Sequence, residues 1–409
     1  MWLYNLGISL YAGGIRLAAL WHGKARLWSE GRRNIFERME AAVRPSDRIV
    51  WVHAASLGEF EQARPIIERL RAEHPEYKIL LTFFSPSGYE IRKNYEGADY
   101  VFYLPADTPS NARRFLDIVH PEIAIFIKYE FWINLLSELR RRKVRSYIVS
   151  AIFRRNSVFF RPYGAMWRQA LETFDTLFVQ NVESKRLLSE IGFDNVVVAG
   201  DTRFDRVAQI AAAAQRVETI ERFRGGGRLF VAGSTWGPDE EILLPLVNAN
   251  PDVKFVIAPH EMDEGRIAHL MRDAKGGAVR YTQCDAATRF DDVQVLVLDT
   301  MGMLSSVYGS ATWAYVGGGF GVGIHNTLEA ATFGLPIAFG PNYGKFKEAR
   351  DMVLLGCAVS VRTAGELAAW FAPLRDDEET LRRASRTAKD YTARNQGATG
   401  IILRSIFNS

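Results

Sequence analysis

Residues 49–84 read IVWVHAASLGEFEQARPIIERLRAEHPEYKILLTFF. A β-rich run of seven residues is followed by a stretch of helical period and then by a second β-rich run. Buried parallel strands joined by crossover helices give this alternation, because such strands are covered on both faces and read as unbroken apolar runs. Working outward, the pattern recurs at YVFYLPAD (100–107), EIAIFIKY (122–129), SYIVSAIF (146–153), TLFVQN (176–181) and NVVVAGD (195–201). An Ala-rich helical stretch, IAAAAQRVETIERFRGGG (210–227), then interrupts it. The pattern restarts with RLFVAGST (228–235), DVKFVIAPH (252–260), VQVLVLDT (293–300), ATWAYVGGG (311–319) and LPIAFGP (335–341). The reading is an α/β protein with two doubly wound halves facing each other across a linker, and with a domain boundary near 206–227. Residues 378–396 are charged with helical period and are expected to cross back to the first half.

Composition bounds the class. The chain has 409 residues, 48% hydrophobic and 24% charged, which is enough for two or three globular domains and too apolar for disorder. Its two cysteines, Cys284 and Cys357, build no disulfide framework, and no Cys/His pair has zinc-finger spacing. A reducing compartment follows. Lys and Arg number 51 against 47 Asp and Glu, so the net charge of +4 suits an anionic surface without requiring one.

The first segment, MWLYNLGISLYAGGIRLAALW (1–21), is apolar but broken by Asn5, Gly13, Gly14 and Arg16. A spanning helix needs about 20 apolar residues, and a central Arg costs about 2.5–3.5 kcal/mol on insertion scales. With Lys24, Arg26, Arg32, Arg33, Arg38 and Arg44 following, the segment reads as an interfacial helix backed by cations. A first helix packed on the core fits the same letters.

Three stretches carry chemistry. Ser56, Gly58 and Glu59 follow the first strand of the α/β pattern, where open sheets build their ligand crevice. Glu59 there stands in the first helical turn at the crevice, and equally reads as a plain first-turn carboxylate complementing the helix dipole. Ser234 and Thr235 stand at a second strand end before a helical segment, as phosphate ligands or as plain caps. Gly317, Gly318, Gly319, Gly321 and Gly323 follow a further strand, and each glycine would cost about 0.5–1 kcal/mol in a regular element. They therefore mark a tight loop or a close backbone approach to a ligand. Asn326 and Glu329 open the next helix on one face, an arrangement suited to a sugar nucleotide. The loop is not a dinucleotide fingerprint, because the strand–GxGxxG–helix unit with its later acidic residue is missing.

The motifs VHAASLGE (52–59), LTFFSPSG (81–88), YLPADTP (103–109), YEFWINL (129–135), GDTRFD (200–205), AGSTWGPDEEIL (232–243), DTMGML (299–304) and GGGFGVGIHNTLEAA (317–331) occur in that order. Together they resemble the Kdo transferases, which attach 3-deoxy-D-manno-octulosonic acid to a lipid A precursor. The resemblance implies the two-domain GT-B fold and an inverting transfer from CMP-Kdo, with no metal and no other cofactor. It implies Glu59 as general base and Glu130 as a second carboxylate. On the donor side it implies Ser234, Thr235, His260, Met301, Gly302, Gly318, Gly319, Asn326 and Glu329, and on the acceptor side Ser56, Gly58, Ser87 and Gly88. The implied partners are CMP-Kdo, a lipid A precursor and the cytoplasmic face of the inner membrane, reached peripherally or by an N-terminal anchor, with no nucleic acid. The implied domains are a membrane-associated helical segment (1–48), an acceptor domain (49–206), a donor domain (207–377) and a C-terminal helix crossing back (378–409). A UDP-sugar transferase or epimerase of the same fold is the alternative.

Overall fold

The computed structural model describes residues 1–408, in two compact units: residues 1–206 with 396–408, and residues 207–395. Each unit holds a seven-stranded, wholly parallel sheet.

In the first unit the strands are β1 (Ile49–Ala54), β2 (Lys78–Phe83), β3 (Tyr100–Tyr103), β4 (Ile123–Ile127), β5 (Arg145–Ala151), β6 (Thr176–Val179) and β7 (Val196–Val198), in the order 3-2-1-4-5-6-7. Alternation along β1 divides its side chains between two cores. Val50, Val52 and Ala54 join Phe60, Ile66 and Ile67 of the helix Leu57–Glu73, while Ile49 and Trp51 join Phe115, Leu136 and Leu171 on the other face. His53 therefore lies on the Trp51 face, fully buried beside Phe126.

The second unit contains β8 (Leu229–Thr235), β9 (Lys254–Pro259), β10 (Ala278–Arg280), β11 (Val295–Val297), β12 (Trp313–Val316), β13 (Ile337–Phe339) and β14 (Ala358–Ser360), ordered 10-11-9-8-12-13-14. The short edge strand β10 was not legible in the sequence, since its three residues are all half-buried and carry no apolar run.

The N-terminal segment is a helix, Trp2–Ala18, with two different faces. One side packs on the first unit. The Tyr4 hydroxyl donates to Asp107 (2.6 Å), and Asn134 donates to the Asn5 side chain (2.9 Å). Asp107 also accepts from the backbone of Asn134 and Leu135, both at 2.9 Å, and so caps the helix Ile133–Arg142. The other side leaves Trp2, Leu3, Leu6, Leu10 and Leu17 in solvent, a stripe at helical spacing that continues to Leu20 and Trp21. Among the described residues, no helix is long and apolar enough to cross a membrane.

The chain returns to the first unit at residue 396, after the helix Glu378–Arg394 has stayed with the second. Asp205 holds the returning segment by accepting from Gly397 N (2.5 Å), Thr399 N (2.7 Å) and Thr399 Oγ1 (2.6 Å). The last helix, Ala398–Phe407, then delivers Ile402, Leu403 and Ile406 to the Val50 core. Hydrogen bonds to a charged group contribute about 1.5–3 kcal/mol. Asp205→Ala should destabilise the first unit by about that amount, read as a lower urea midpoint, whereas a midpoint unchanged from wild type would show that the apolar contacts alone hold the helix.

Candidate active site

In the first unit the strand order reverses between β1 and β4, so the helices that follow these strands leave on opposite faces and open a crevice beyond their carboxyl ends. Glu59 follows β1 and Glu130 follows β4, so both carboxylates stand at this crevice. Ser56 caps the helix Leu57–Glu73 with extended backbone, and its hydroxyl donates to Glu59. Gly58 is exposed in the first turn, where a Cβ would meet only the Ser56 hydroxyl, so the backbone there stays open to approach.

Glu130 is fixed more firmly. His53 Nε2 lies 3.1 Å from Glu130 Oε2, and Trp132 Nε1 donates to the same oxygen at 2.8 Å. His53 and Thr82 are register partners on β1 and β2, which puts His53 Nδ1 2.8 Å from the Thr82 hydroxyl. That hydroxyl also accepts from Trp51 Nε1 (2.8 Å). His53 Nδ1 also lies 3.1 Å from the Thr82 carbonyl, and Nε2 lies 3.2 Å from Trp132 Nε1, so the ring is held on both edges between Thr82 and Glu130. The relay Trp51–Thr82–His53–Glu130 leaves Glu130 Oε1 outside it. His53 was missed in the sequence, although it is the one polar residue in the run IVWVHAA.

Asp201, at the end of the β7 connection, is buried and accepts from Gln62 Nε2 (2.9 Å) and Arg203 Nε (2.9 Å). Burial works against its charge, but Arg203 and Gln62 outweigh it and hold the carboxyl below the usual carboxylate range. Gly88 is buried because its α-carbon lies against the Phe83 ring, which a Cβ would strike, and Ser87 hydrogen-bonds Ser85 at the cap of the helix Pro86–Arg92.

In the second unit the reversal falls between β8 and β12, and the same geometry brings Ser234 to Trp236 beside the glycine loop. Ser234 takes left-handed backbone (φ 55°) at a register shift between Gly233 and Thr235. A Cβ at Gly317 would run into the Ser234 carbonyl, and one at Gly319 into the backbone of Gly340. These two glycines are required by backbone packing. Gly318 is left-handed (φ 90°), and its N–H is already spent on Asp239 Oδ2 (2.9 Å). The Thr235 hydroxyl is likewise spent on Glu240 Oε1 (2.8 Å), the same oxygen to which Arg266 donates (2.6 Å). The expectation that these groups are free for a phosphate is thus revised: they build the loop. Asp239, unrecognised in the sequence, organises it by accepting also from Trp236 N (2.9 Å) and the Tyr315 hydroxyl (2.7 Å). Burial, more than these bonds oppose it, pushes the Asp239 carboxyl up.

His260 lies between Trp236 and His325, with ring centroids 4.8 and 4.3 Å away, and Trp236 Nε1 donates to His325 Nε2 (3.3 Å). Burial and then His260 hold the His325 imidazole below its usual range, which keeps it neutral and able to accept that bond. Met301 is exposed and Gly302 is left-handed (φ 84°), just before the short helix Leu304–Tyr308. Glu329 accepts from Asn326 Nδ2 (3.0 Å) on one oxygen and from Ser305 Oγ (2.8 Å) on the other, so its orientation is set in advance. Among the described residues, no three His, Cys, Asp or Glu side chains lie together as metal ligands would.

Comparison with known proteins follows the same division. Residues 32–206 match the family model for 3-deoxy-D-manno-octulosonic-acid transferase (kdotransferase). The 3-deoxy-D-manno-octulosonic acid transferase of Bordetella pertussis is 28% identical over 373 residues, 87% of this chain and 86% of that enzyme. The enzyme of the same name from Haemophilus influenzae is 25% identical over 378 residues, 88% of this chain and 86% of its own. Among solved structures, UDP-GlcNAc 2-epimerase from Neisseria meningitidis has a TM-score of 0.61 at 16% identity, covering 88% of this chain and 100% of that one. MurG from Acinetobacter baumannii has a TM-score of 0.56 at 12% identity, covering 89% and 100%. These likenesses show the GT-B fold.

The depressed Asp201 carboxyl makes a prediction with a definite sign. A carboxyl held below its unfolded value, about 3.9, contributes stability that is present above that pH and lost as pH falls through the folded value. Asp201→Asn should therefore be less stable than wild type at neutral pH and lose less stability on acidification below about pH 4, followed by denaturant midpoints across pH. Parallel acid branches would remove Asp201 from the account.

Proposed function

We propose that the chain is a member of the 3-deoxy-D-manno-octulosonic-acid transferase family, an inverting glycosyltransferase that moves Kdo from CMP-Kdo to a lipid A precursor in lipopolysaccharide synthesis; the family-model match over residues 32–206 and the relatives of that name support this reading. The observation that carries this reading is the Glu59 carboxylate, tethered by Ser56 in the first helical turn beyond β1, where an acceptor hydroxyl entering the crevice meets it.

In the proposed reaction the acceptor oxygen attacks the anomeric carbon of Kdo from the face opposite the phosphate. The carbon–oxygen bond to phosphate breaks, CMP leaves with its electron pair, and the hydroxyl proton passes to Glu59. A positioned base contributes typically about 10²–10⁴-fold. Glu130, locked by His53 and Trp132, is a positioning carboxylate for the acceptor. In the second unit Glu329 takes the ribose hydroxyls, while the Trp236–His260–His325 stack and the Met301–Gly302 turn border the nucleotide. Ser234 and Gly319 remain on the donor side of this reading, with Gly318 and Thr235 supporting them from behind. Ser56, Gly58, Ser87 and Gly88 border the acceptor.

A lipid acceptor asks for an enzyme on the membrane surface. The exposed stripe from Trp2 to Trp21, backed by the basic stretch that follows, supports peripheral binding at the cytoplasmic face of the inner membrane.

Two substitutions divide the roles. Glu59→Gln should lower kcat by about 10²–10⁴ with donor KM little changed. Glu329→Ala should instead raise donor KM about tenfold to a hundredfold, the range of a hydrogen bond to a charged group. Near-normal turnover of the first variant overturns the base. Calorimetric titration that finds UDP bound and CMP not would overturn the donor and favour a UDP-sugar enzyme.

A further inference from the structure

A cavity of about 400 Å³ opens between the first helix and the helix Ile35–Ala42, lined by Arg16, Arg32, Arg33, Ser29 and Asn111. Among the described residues, none of its three arginines has an acidic partner within ion-pair distance, although most arginines of the first unit do. Arg32 is held rigidly. Its guanidinium carbon lies over Trp28, 3.9 Å from the ring centre, and the group donates to the carbonyls of Leu104 (2.8 Å), Phe84 (2.8 Å) and Trp28 (3.1 Å). A guanidinium has five N–H groups, so these carbonyls use three and leave two. Burial pulls Arg32 down to about 9, the mark of a desolvated cation without a counter-ion.

The opposite wall is also a donor surface. Asn34 stands in left-handed backbone (φ 49°) before the helix Ile35–Ala42, and no side chain caps the N–H groups of its first turn. Glu37, the one carboxylate on the rim, faces Arg114 at 3.5 Å. An oxyanion bound here would meet three guanidinium groups, backbone N–H groups and three neutral polar side chains, Ser29, Asn34 and Asn111. Arg16 further belongs to the helix with the exposed apolar stripe, and Leu17, Leu20 and Trp21 follow it directly.

We propose that this cavity is a binding subsite for the phosphate monoester of an amphiphile whose chains lie along the apolar stripe. Three unpaired cations favour a dianionic monoester over a singly charged diester, since each added contact is a charge-assisted bond that guanidinium makes in bidentate form. The stripe favours a lipid over a free anion. The identity of the amphiphile as the acceptor rests on the transferase reading above, whereas the subsite does not.

The test is flotation of the full chain with phosphatidylcholine vesicles carrying either phosphatidic acid or phosphatidylserine, matched in surface charge. Wild type should prefer the phosphatidic acid vesicles by about tenfold or more. The double variant Arg16→Gln, Arg33→Gln, both exposed positions, should lose that preference while keeping its melting temperature and its binding to neutral vesicles. No preference in wild type, or an equal loss of binding to both anionic vesicles in the variant, overturns the subsite. Inorganic phosphate that binds by calorimetry in the absence of any vesicle preference would make it a free-anion site and overturn the lipid assignment. Turnover of CMP-Kdo with a lipid A precursor is measured separately: a raised acceptor KM in the double variant identifies the amphiphile as the acceptor, and absence of turnover in wild type defeats the transferase reading while leaving the vesicle result intact.

Discussion

The reversal of strand order beside β1 and again beside β8 is the constraint on which the rest depends. Parallel strands need crossover connections, and these are right-handed, so a sheet that grows first to one side and then to the other must send its helices to both faces. At the point of reversal the loops diverge and leave backbone and side chains at the strand ends without a covering helix. Each unit has one such point. The residues with chemistry gather there for that reason: Glu59 and Glu130 in the first unit, and the Ser234 bend, the glycine loop and the His260–His325 pair in the second.

What holds these groups is a set of buried polar relays rooted in the sheets. His53 reaches Glu130 only because β1 and β2 are in a register that sets Thr82 beside it. Asp239 closes the glycine loop because Tyr315, a β12 side chain, and Gly318, just past that strand, both point at its carboxylate. In surroundings of low dielectric such bonds are strong when complete and costly when broken, so the relays fix the geometry of the exposed groups they support.

Much of this was legible in the chain. Apolar runs of strand length separated by helical period announced both sheets, and Glu59, Asn326 and Glu329 were singled out from their places after a strand or at a helix start, whereas Glu130 came only from the family resemblance. Glycine was the less faithful guide. Gly317 and Gly319 are there because two backbones touch, and Gly88 because a phenyl ring lies on it, and none of these contacts has a local signature. Asp239 and His53 escaped for the related reason that Gly318 and Glu130, the groups they hold in place, lie 79 and 77 residues away in sequence, so only the folded chain brings them together. The N-terminal helix was ambiguous because it has two different faces, one tied by Tyr4 and Asn5 and the other left apolar, and a linear apolar count averages over them.

The late return of the chain bears on the order of synthesis. Ile402, Leu403 and Ile406 sit in the core of the unit that also contains the first 206 residues, yet they are the last of that core to leave the ribosome. Until they arrive, the helix Leu57–Glu73 and the underside of β1 present an uncovered apolar groove. The second unit, by contrast, is a single uninterrupted stretch of chain and has all its core residues in hand when residue 395 emerges. The half that begins first is therefore the half that finishes last, and its nascent form carries a sticky seam for the whole time its neighbour is being made, which is the period in which a chaperone would find a site on it.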